Sequence, residues 1–364
     1  MEQKHREDFL FKIDQVRKIM GLTGCDAVLV SMQSNFAWLT GGRGFIGLAS
    51  ERACAVVLIT HGKVFLVVSN IEKQRLVEEE LGSLAQEFSI EVYPWHEEAA
   101  EKRIVHGIVG SGRMETDASL QKEFSALRRQ LTDSELEKYR WLGQRTSAVV
   151  EDACCRIRPG ITEFEAAGWL SCELWKAGIE PITNLIAFDD RVYQYRHPLP
   201  GENTLHKYAM LAVCTRKWGL VVSLSRFVHF GRIPAELKEK HKAVTDVDAC
   251  LINNTRPGNR VDGIFREALK VYSEMGYAGE WEFHHQGGLT GYMAREYRAT
   301  AESNEIVREK QAFAWNPSIS GTKSEDTILV LEQGNEVITH TGNYPYLQVE
   351  SGGKAILRPD ILIL

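Results

Sequence analysis

The chain has 364 residues, which is more than a single hydrophobic core usually organises and suits two domains. Hydrophobic residues make up 44% and charged residues 25% of the sequence, the ordinary balance of a globular protein. The formal net charge of -6, without any basic cluster, gives no reason to expect nucleic acid or an anionic membrane as a partner.

The N-terminal segment, residues 1–21, is charged and amphipathic and has no uninterrupted apolar run. It matches neither a signal peptide nor a membrane-spanning helix, so we expect a cytoplasmic protein with no membrane partner. The seven cysteines are scattered and include no C-x-x-C pair. Free thiols in a reducing compartment fit this pattern best.

The first part of the chain is predicted to form a small α/β domain. Residues 7–22 predict an amphipathic helix with one apolar stripe, formed by Phe9, Leu10, Ile13, Val16, Ile19 and Met20. Strands are predicted over 27–31, 53–60, 63–69 and 90–95. Residues 35–44 are predicted as a turn-rich segment, and Glu78 to Glu80 as the solvated face of a helix.

The remainder alternates helices with strands. A long helix is predicted from Thr132 to just before Pro159, and Thr162 is predicted to open a second amphipathic helix. The further predictions are strands over 208–215 and 219–229, helices over 234–253 and 261–275, and antiparallel strands within 310–340. The sequence thus predicts an α/β protein of the α+β type.

Short polar motifs occur in a fixed order between Tyr195 and Asp326: YRHPLP, GLVVSLSR, HHQGG, WNPS and SED. Together with NFAWLTGG, TDSELEKYR and IRPGITEFE upstream, this order resembles the creatinase, prolidase and aminopeptidase P family of pita-bread hydrolases. The resemblance covers nearly the whole chain. It implies a small creatinase-like N-terminal domain over 1–128 and a C-terminal pita-bread domain over 129–364.

The family's metal site uses two Asp, one His and two Glu as ligands. The resemblance places these ligands at Ala212, Ser223, His285, Asn316 and Glu325, so only the His and the second Glu are kept. Residues 205–233 contain no Asp or Glu, and no shift of the alignment restores the lost pair. We therefore expect a degraded metal site, no dinuclear centre and no cofactor.

Two weaker metal sites stay as alternatives. One is a single divalent ion held weakly by His285 and Glu325. The other is a mononuclear zinc site that adds Cys214, which follows Ala212 by two residues and shares its strand face.

Creatinase works without metal, and the resemblance assigns its proton-shuttling histidine to His197. His285 and Glu325 complete the expected catalytic set. The residues expected to contact substrate or its oxyanion are Arg226, His284, Tyr292, Arg295 and Asn316, with Arg298 a further candidate for a substrate carboxylate. Creatine itself is not the expected substrate, because Ala212 and Ser223 replace the acidic residues that would grip its cationic group.

The first functional hypothesis is a hydrolase that cleaves a C–N bond in a small amino-acid derivative or short peptide, with little or no metal. The alternative is an inactive pita-bread protein that binds a ligand or peptide. Some residues also have a purely structural interpretation: Glu325 as the ion-pair partner of Lys323 or Arg226, and one of His284 and His285 as a core histidine. A homodimer is expected from the resemblance alone.

Overall fold

The computed structural model describes residues 2–364. The chain divides into two compact units, one ending at Ser134 and one running from Glu135 to Leu364. Both units combine helices with β-sheets, so the predicted mixed α/β class is confirmed. No helix among residues 2–364 is both long enough and apolar enough to span a bilayer.

The first unit is built on a five-stranded sheet of order β4-β3-β2-β1-β5. Its strands are β1 Ala27–Met32, β2 Arg52–Thr60, β3 Val64–Ser69, β4 Ser89–Tyr93 and β5 Met114–Thr116. Its helices are α1 Glu2–Thr23, α2 Gln33–Thr40, α3 Lys73–Arg75, α4 Ala100–Val109 and α5 Gln121–Arg128. A π-helical turn, Leu76–Leu81, and a 3-10 segment, Gly82–Glu87, follow α3.

Three expectations for this unit differ from the structure, the third of them only at Glu80, since Glu78 and Glu79 are exposed as expected. The segment predicted as turn-rich contains α2, because the carboxylate of Asp117 accepts hydrogen bonds from the backbone of Met32 and from the side chain of Asn35 just where the helix begins. Leu10 is 41% exposed and lies off the buried stripe of α1. The side chain of Glu80 is almost buried, since it forms an ion pair with Arg43.

The second unit begins with the long helix α6, Asp133–Arg156, whose first two residues belong to the first unit. Its other helices are α7 Glu163–Lys176, α8 Asp190–Gln194, α9 Ala235–Asn254 and α10 Val261–Glu274, with a 3-10 turn at Glu280–Phe283. Its strands are β6 Glu180–Phe188, β7 Tyr208–Lys217, β8 Leu220–His229, β9 Gly287–Thr290, β10 Tyr297–Arg298, β11 Gln311–Trp315, β12 Ser318–Ile319, β13 Thr322–Lys323, β14 Asp326–Leu331, β15 Gly334–Val337, β16 Tyr346–Ser351, β17 Lys354–Pro359 and β18 Leu362–Ile363.

Two larger sheets dominate the second unit, with orders β18-β8-β7-β6 and β10-β9-β11-β14-β15. Apolar side chains of α9 and α10 pack against the second sheet in one buried cluster, which includes Val247, Phe265, Phe313 and Ile328. Thr162 starts α7 with a capping box: its hydroxyl accepts from the backbone of Glu165, and the Glu165 carboxylate accepts from the backbone of Thr162.

Candidate functional site

The second unit contains a cavity of about 610 Å³, a volume suited to a small molecule or a short peptide. Its walls come from strands β6, β7, β10 and β13, from the loops that follow α8, β9, β11 and β13, and from the segment between the 3-10 turn and β9. The lining residues are Thr183, Leu185, His197, Ala212, Val213, Cys214, His285, Met293, Ala294, Arg295, Tyr297, Arg298, Asn316, Lys323 and Glu325.

The register of β7 and β8 decides which side chains meet behind this cavity. Cys214 pairs with Ser223, and Ala212 pairs with Ser225. The Ser225 hydroxyl donates to Oε2 of Glu325 over 2.6 Å, and the Cys214 Sγ lies 3.2 Å from the Ser223 Oγ. Burial raises the pKa of the Cys214 thiol, so at neutral pH it remains a protonated, small apolar side chain.

Glu325 is the carboxylate of the site, and two cationic side chains hold it. Lys323 Nζ lies 3.3 Å from its Oε2, and Arg295 Nη2 lies 3.4 Å from its Oε1. Burial opposes ionisation of Glu325, but Lys323 and Arg295 outweigh that penalty and keep its pKa below the usual range. Glu325 is therefore ionised and already neutralised by the protein itself.

Three histidines meet at the cavity. One ring nitrogen from each of His197, His284 and His285 lies within 4.8 Å of the other two. His284 Nε2 is 3.0 Å from His197 Nε2, and the rings of His284 and His285 stack with centroids 4.5 Å apart. His197 is exposed, whereas His284 is buried.

All three imidazoles are neutral at physiological pH. Burial, followed by the charge of Lys323, lowers the pKa of His197 and of His284. Burial, followed by the charge of Arg295, lowers the pKa of His285 to about 3. Neutral imidazoles can accept protons, and this is the state that a general base needs.

The turn that carries the histidine pair is fixed by Gln286 and two glycines. The buried Gln286 side chain donates to the carbonyl of His284 over 2.5 Å and accepts from the Tyr272 hydroxyl over 2.8 Å. A Cβ on Gly287 would collide with the Ala314 carbonyl oxygen of β11, and one on Gly288 with the Tyr297 carbonyl oxygen of β10. The Gly-Gly pair thus lets β9 pack closely between its neighbours.

The structure brings most of the predicted site residues to one cavity. The expected positions that line it are His197, Ala212, Cys214, His285, Arg295, Arg298, Asn316 and Glu325. Ser223 lies just behind the wall, where its hydroxyl accepts from Arg295 Nη1 over 3.4 Å.

Three residues expected to contact substrate lie elsewhere. Arg226 follows Ser225 on β8 and therefore points to the opposite face, where its fully buried guanidinium pairs with Glu151 and Asp326. Tyr292 is buried and is hydrogen-bonded to Glu135. His284 contacts His197 rather than lining the cavity, so it can orient a cavity residue but does not face the open volume.

Sequence reasoning considered Lys323 only as a structural partner of Glu325. Lys323 is two residues before Glu325, and the two side chains meet in the cavity wall. Residues two apart on an extended segment share a face, so the sequence already indicated that the ammonium group of Lys323 lies beside Glu325 in the site. The contribution of β6, through Thr183 and Leu185, had no such indication.

Comparison with known proteins identifies the family. Residues 137–332 match the model for metallopeptidase family M24, and residues 12–140 match the creatinase/prolidase N-terminal domain. The chain belongs to metallopeptidase family M24. This confirms the resemblance noted in the sequence and the pita-bread fold of the second unit.

Solved structures of the family are similar over nearly the whole chain. A Pyrococcus horikoshii prolidase has a TM-score of 0.76 at 18% identity, and the alignment covers 91% of this chain and 98% of that one. A Bacillus anthracis Xaa-Pro dipeptidase has a TM-score of 0.73 at 17% identity, with 98% and 100% covered. An uncharacterized peptidase of Staphylococcus aureus strain MW2 is 22% identical over 355 residues, which cover 90% of this chain and 99% of that protein.

The residues of this cavity do not fit the dinuclear metal centre that is normal for the family. Paired dications need bridging carboxylates, but Ala212, Ser223 and Asn316 supply none, and Glu325 is already in two ion pairs. Among residues 2–364, the His197, His284 and His285 set could hold one ion. Lys323 and Arg295 line the same cavity, and their positive charges oppose the entry of a dication.

Proposed function

We propose that this M24 chain is a C–N hydrolase that acts on a small amino-acid derivative or short peptide without a dinuclear metal centre. The observation that carries the proposal is the position of His197: an exposed, neutral imidazole at the cavity, 3.0 Å from the supporting His284. Solved prolidase structures share the fold, and the match to a metallopeptidase family supports hydrolysis.

His197 is assigned the role of proton shuttle. It takes one proton from a water molecule while the water oxygen bonds to the carbonyl or amidino carbon of the substrate. It then returns that proton to the leaving nitrogen as the C–N bond breaks. The hydrogen bond with His284 fixes the orientation of the ring during both transfers.

The developing oxyanion requires positive charge, which the chain's own side chains can provide. Lys323 and Arg295 both point toward Glu325 and line the cavity. Because they are held in place before substrate arrives, they need little reorganisation to stabilise an anionic transition state. His285 and Asn316 are further polar groups of the same wall.

An inactive ligand-binding module is the second candidate. One observation favours it: Glu325, the remaining ligand-type carboxylate of the cavity, is neutralised by Lys323 and Arg295 and has no free charge for catalysis. Both candidates bind a ligand in the cavity, but only the hydrolase turns it over.

The decisive experiment measures hydrolysis of a panel of dipeptides and N-substituted amino acids by purified protein, with and without chelator. We expect turnover that survives chelation and falls by about 10²–10⁴-fold in His197→Ala. His61→Ala, which removes an exposed histidine outside the cavity, is the matched control and should leave turnover unchanged. Loss of turnover on chelation, restored by a divalent metal, would refute the proposal.

The proposal retains a homodimer and a cytoplasmic location. The location is supported by the cysteines, which form no disulfide among residues 2–364.

A further inference from the structure

The charge balance of the cavity is positive. Three cationic side chains line it, those of Arg295, Arg298 and Lys323, and Glu325 is the one lining carboxylate. Of these three positive charges, two are left without a counter-charge from the lining carboxylate.

The three cations converge on one region. Lys323 Nζ and Arg295 Nη2 lie 3.3 and 3.4 Å from the two carboxylate oxygens of Glu325, and Arg298 lines the same cavity. Repulsion between like charges at such a site is relieved by an anion.

Several polar atoms of this wall have no hydrogen-bond partner among residues 2–364. They include Nε of Arg295, Nδ1 of His285 and Oδ1 of Asn316. Arg298 is exposed and forms no ion pair within the same residues. Nε of Arg295, and Nδ1 of His285 in the tautomer that carries its proton there, can donate to a carboxylate, whereas Oδ1 of Asn316 accepts and suits an N–H group of a ligand. Such buried atoms cost free energy when left unpaired, so the wall suits an anion that also carries an N–H donor.

We propose that the cavity selects a small dianion that carries two carboxylates, of which N-acyl dicarboxylic amino acids are the class. Two negative charges match the two uncompensated positive ones. As a substrate class this rests on the proposed hydrolase, in which water would cleave the amide into a carboxylic acid and a dicarboxylic amino acid. The binding itself does not depend on turnover.

Isothermal titration calorimetry with probes of graded charge tests the proposal. The probes are N-acetyl-L-glutamate with two negative charges, N-acetyl-L-glutamine with one, and zwitterionic creatine. We expect N-acetyl-L-glutamate to bind about tenfold more tightly than N-acetyl-L-glutamine, creatine to bind more weakly still, and added salt to weaken the first most.

Variants locate the site. Arg298→Gln removes an exposed charge and should keep the fold. We expect it to weaken the binding of N-acetyl-L-glutamate about tenfold. Lys323→Met should weaken it at least as much. Arg232→Gln, which removes an exposed arginine outside the cavity, is the matched control and should leave the affinity unchanged.

Three outcomes would overturn the proposal: equal affinity for the three organic probes, no effect of Arg298→Gln, or tighter binding of inorganic phosphate than of N-acetyl-L-glutamate. Tight zinc binding without dianion binding would also overturn it and would favour an ion on the three histidines. If the dianion binds and neither it nor any member of the dipeptide and N-substituted amino-acid panel is hydrolysed, the binding proposal stands and the proposed hydrolase fails.

Discussion

Lys323 Nζ lies 3.3 Å from the Oε2 of Glu325, and both side chains are only 6% exposed. The pair stands in the wall of the cavity, where the M24 resemblance places a metal-ligand glutamate. A covalently attached cation therefore provides Glu325 with the charge that a bound metal would otherwise supply. This pairing explains how Glu325 remains ionised although it is buried.

Removing the carboxylate should destabilise the second unit. Glu325→Gln leaves Lys323 and Arg295 close together without their shared counter-charge, and we expect a loss of about 3 kcal/mol in the free energy of unfolding. Urea denaturation monitored by circular dichroism measures the loss. In the control, Lys323→Met, Glu325 keeps its pair with Arg295, so the loss should be smaller; an equal or larger loss would contradict this account.

Divalent metal binding should be recoverable when carboxylates are restored. The triple variant Ala212→Asp, Ser223→Asp and Asn316→Glu, combined with Lys323→Met, brings back the missing anionic ligands and removes an opposing cation. We expect Mn²⁺ at 100 times its dissociation constant to stabilise this variant by about 2.7 kcal/mol and to leave the natural protein unchanged. Thermal melts with and without Mn²⁺ measure both effects.

The comparison between the natural protein and the variant is what decides this prediction. A comparable Mn²⁺-induced rise in the melting temperature of the natural protein would show that its present donors already form a strong metal site. The three carboxylate substitutions without Lys323→Met form a second control, in which the retained ammonium should weaken Mn²⁺ binding.

Acid should weaken the fold through the histidine cluster. His285 has a folded pKa of about 3 against an ordinary 6.5, so as pH falls below 6.5 the unfolded chain takes up a proton that the folded chain refuses. Stability is thus lost between about pH 6.5 and pH 3, by at most about 1.4 kcal/mol per pH unit for this group. The lowered pKa of His284 acts in the same direction.

Urea denaturation at several pH values, on the natural protein and on His285→Asn, measures the effect. The variant should lose stability less steeply below pH 6.5. Asp248 has the opposite dependence, because burial raises its pKa to about 7 and its contribution to stability therefore grows as pH falls through that value. Measuring Asp248→Asn in the same way isolates the contribution of this opposing group. If stability falls with pH as steeply in His285→Asn as in the natural protein, the prediction is wrong.

Local patterns were sufficient to predict much of the fold. Alternation and run length located β7 and β8, and Thr162 with Glu165 marked the start of α7, because these features depend on neighbours in sequence. The helix α2 was missed because what stabilises its start is the carboxylate of Asp117, more than eighty residues away in the chain. Nothing near Asn35 reveals that contact.

The candidate site shows the same division. The order of motifs located several polar cavity residues, but Arg226 was wrongly expected among them, although strand alternation places it on the face opposite to Ser225. The sequence could not show that Lys323, Arg295 and Arg298 converge, because they come from separate segments brought together by tertiary packing. The excess positive charge of the cavity could therefore be recognised only from the structure.

A buried ion network behind the cavity should be a second determinant of stability. Arg358 on β17 pairs with Asp248 over 2.6 Å and with Asp326 over 2.5 Å, and all three side chains are fully buried. Arg358→Met leaves the two carboxylates close together without this shared counter-charge. We expect a loss of about 3–5 kcal/mol in the free energy of unfolding, against about 0–1 kcal/mol for Arg140→Met, which breaks the exposed pair with Glu336.

Chemical denaturation at pH 7 measures both losses, and the direction of the pH dependence tests the cause. If the Arg358→Met defect arises from unpaired carboxylates, the loss relative to the natural protein should be smaller at pH 7 than at pH 9, because Arg358 lowers the pKa of Asp248 and its removal lets Asp248 take up a proton at a higher pH. A defect that is independent of pH would instead attribute the loss to packing, since the aliphatic part of a buried arginine also fills volume.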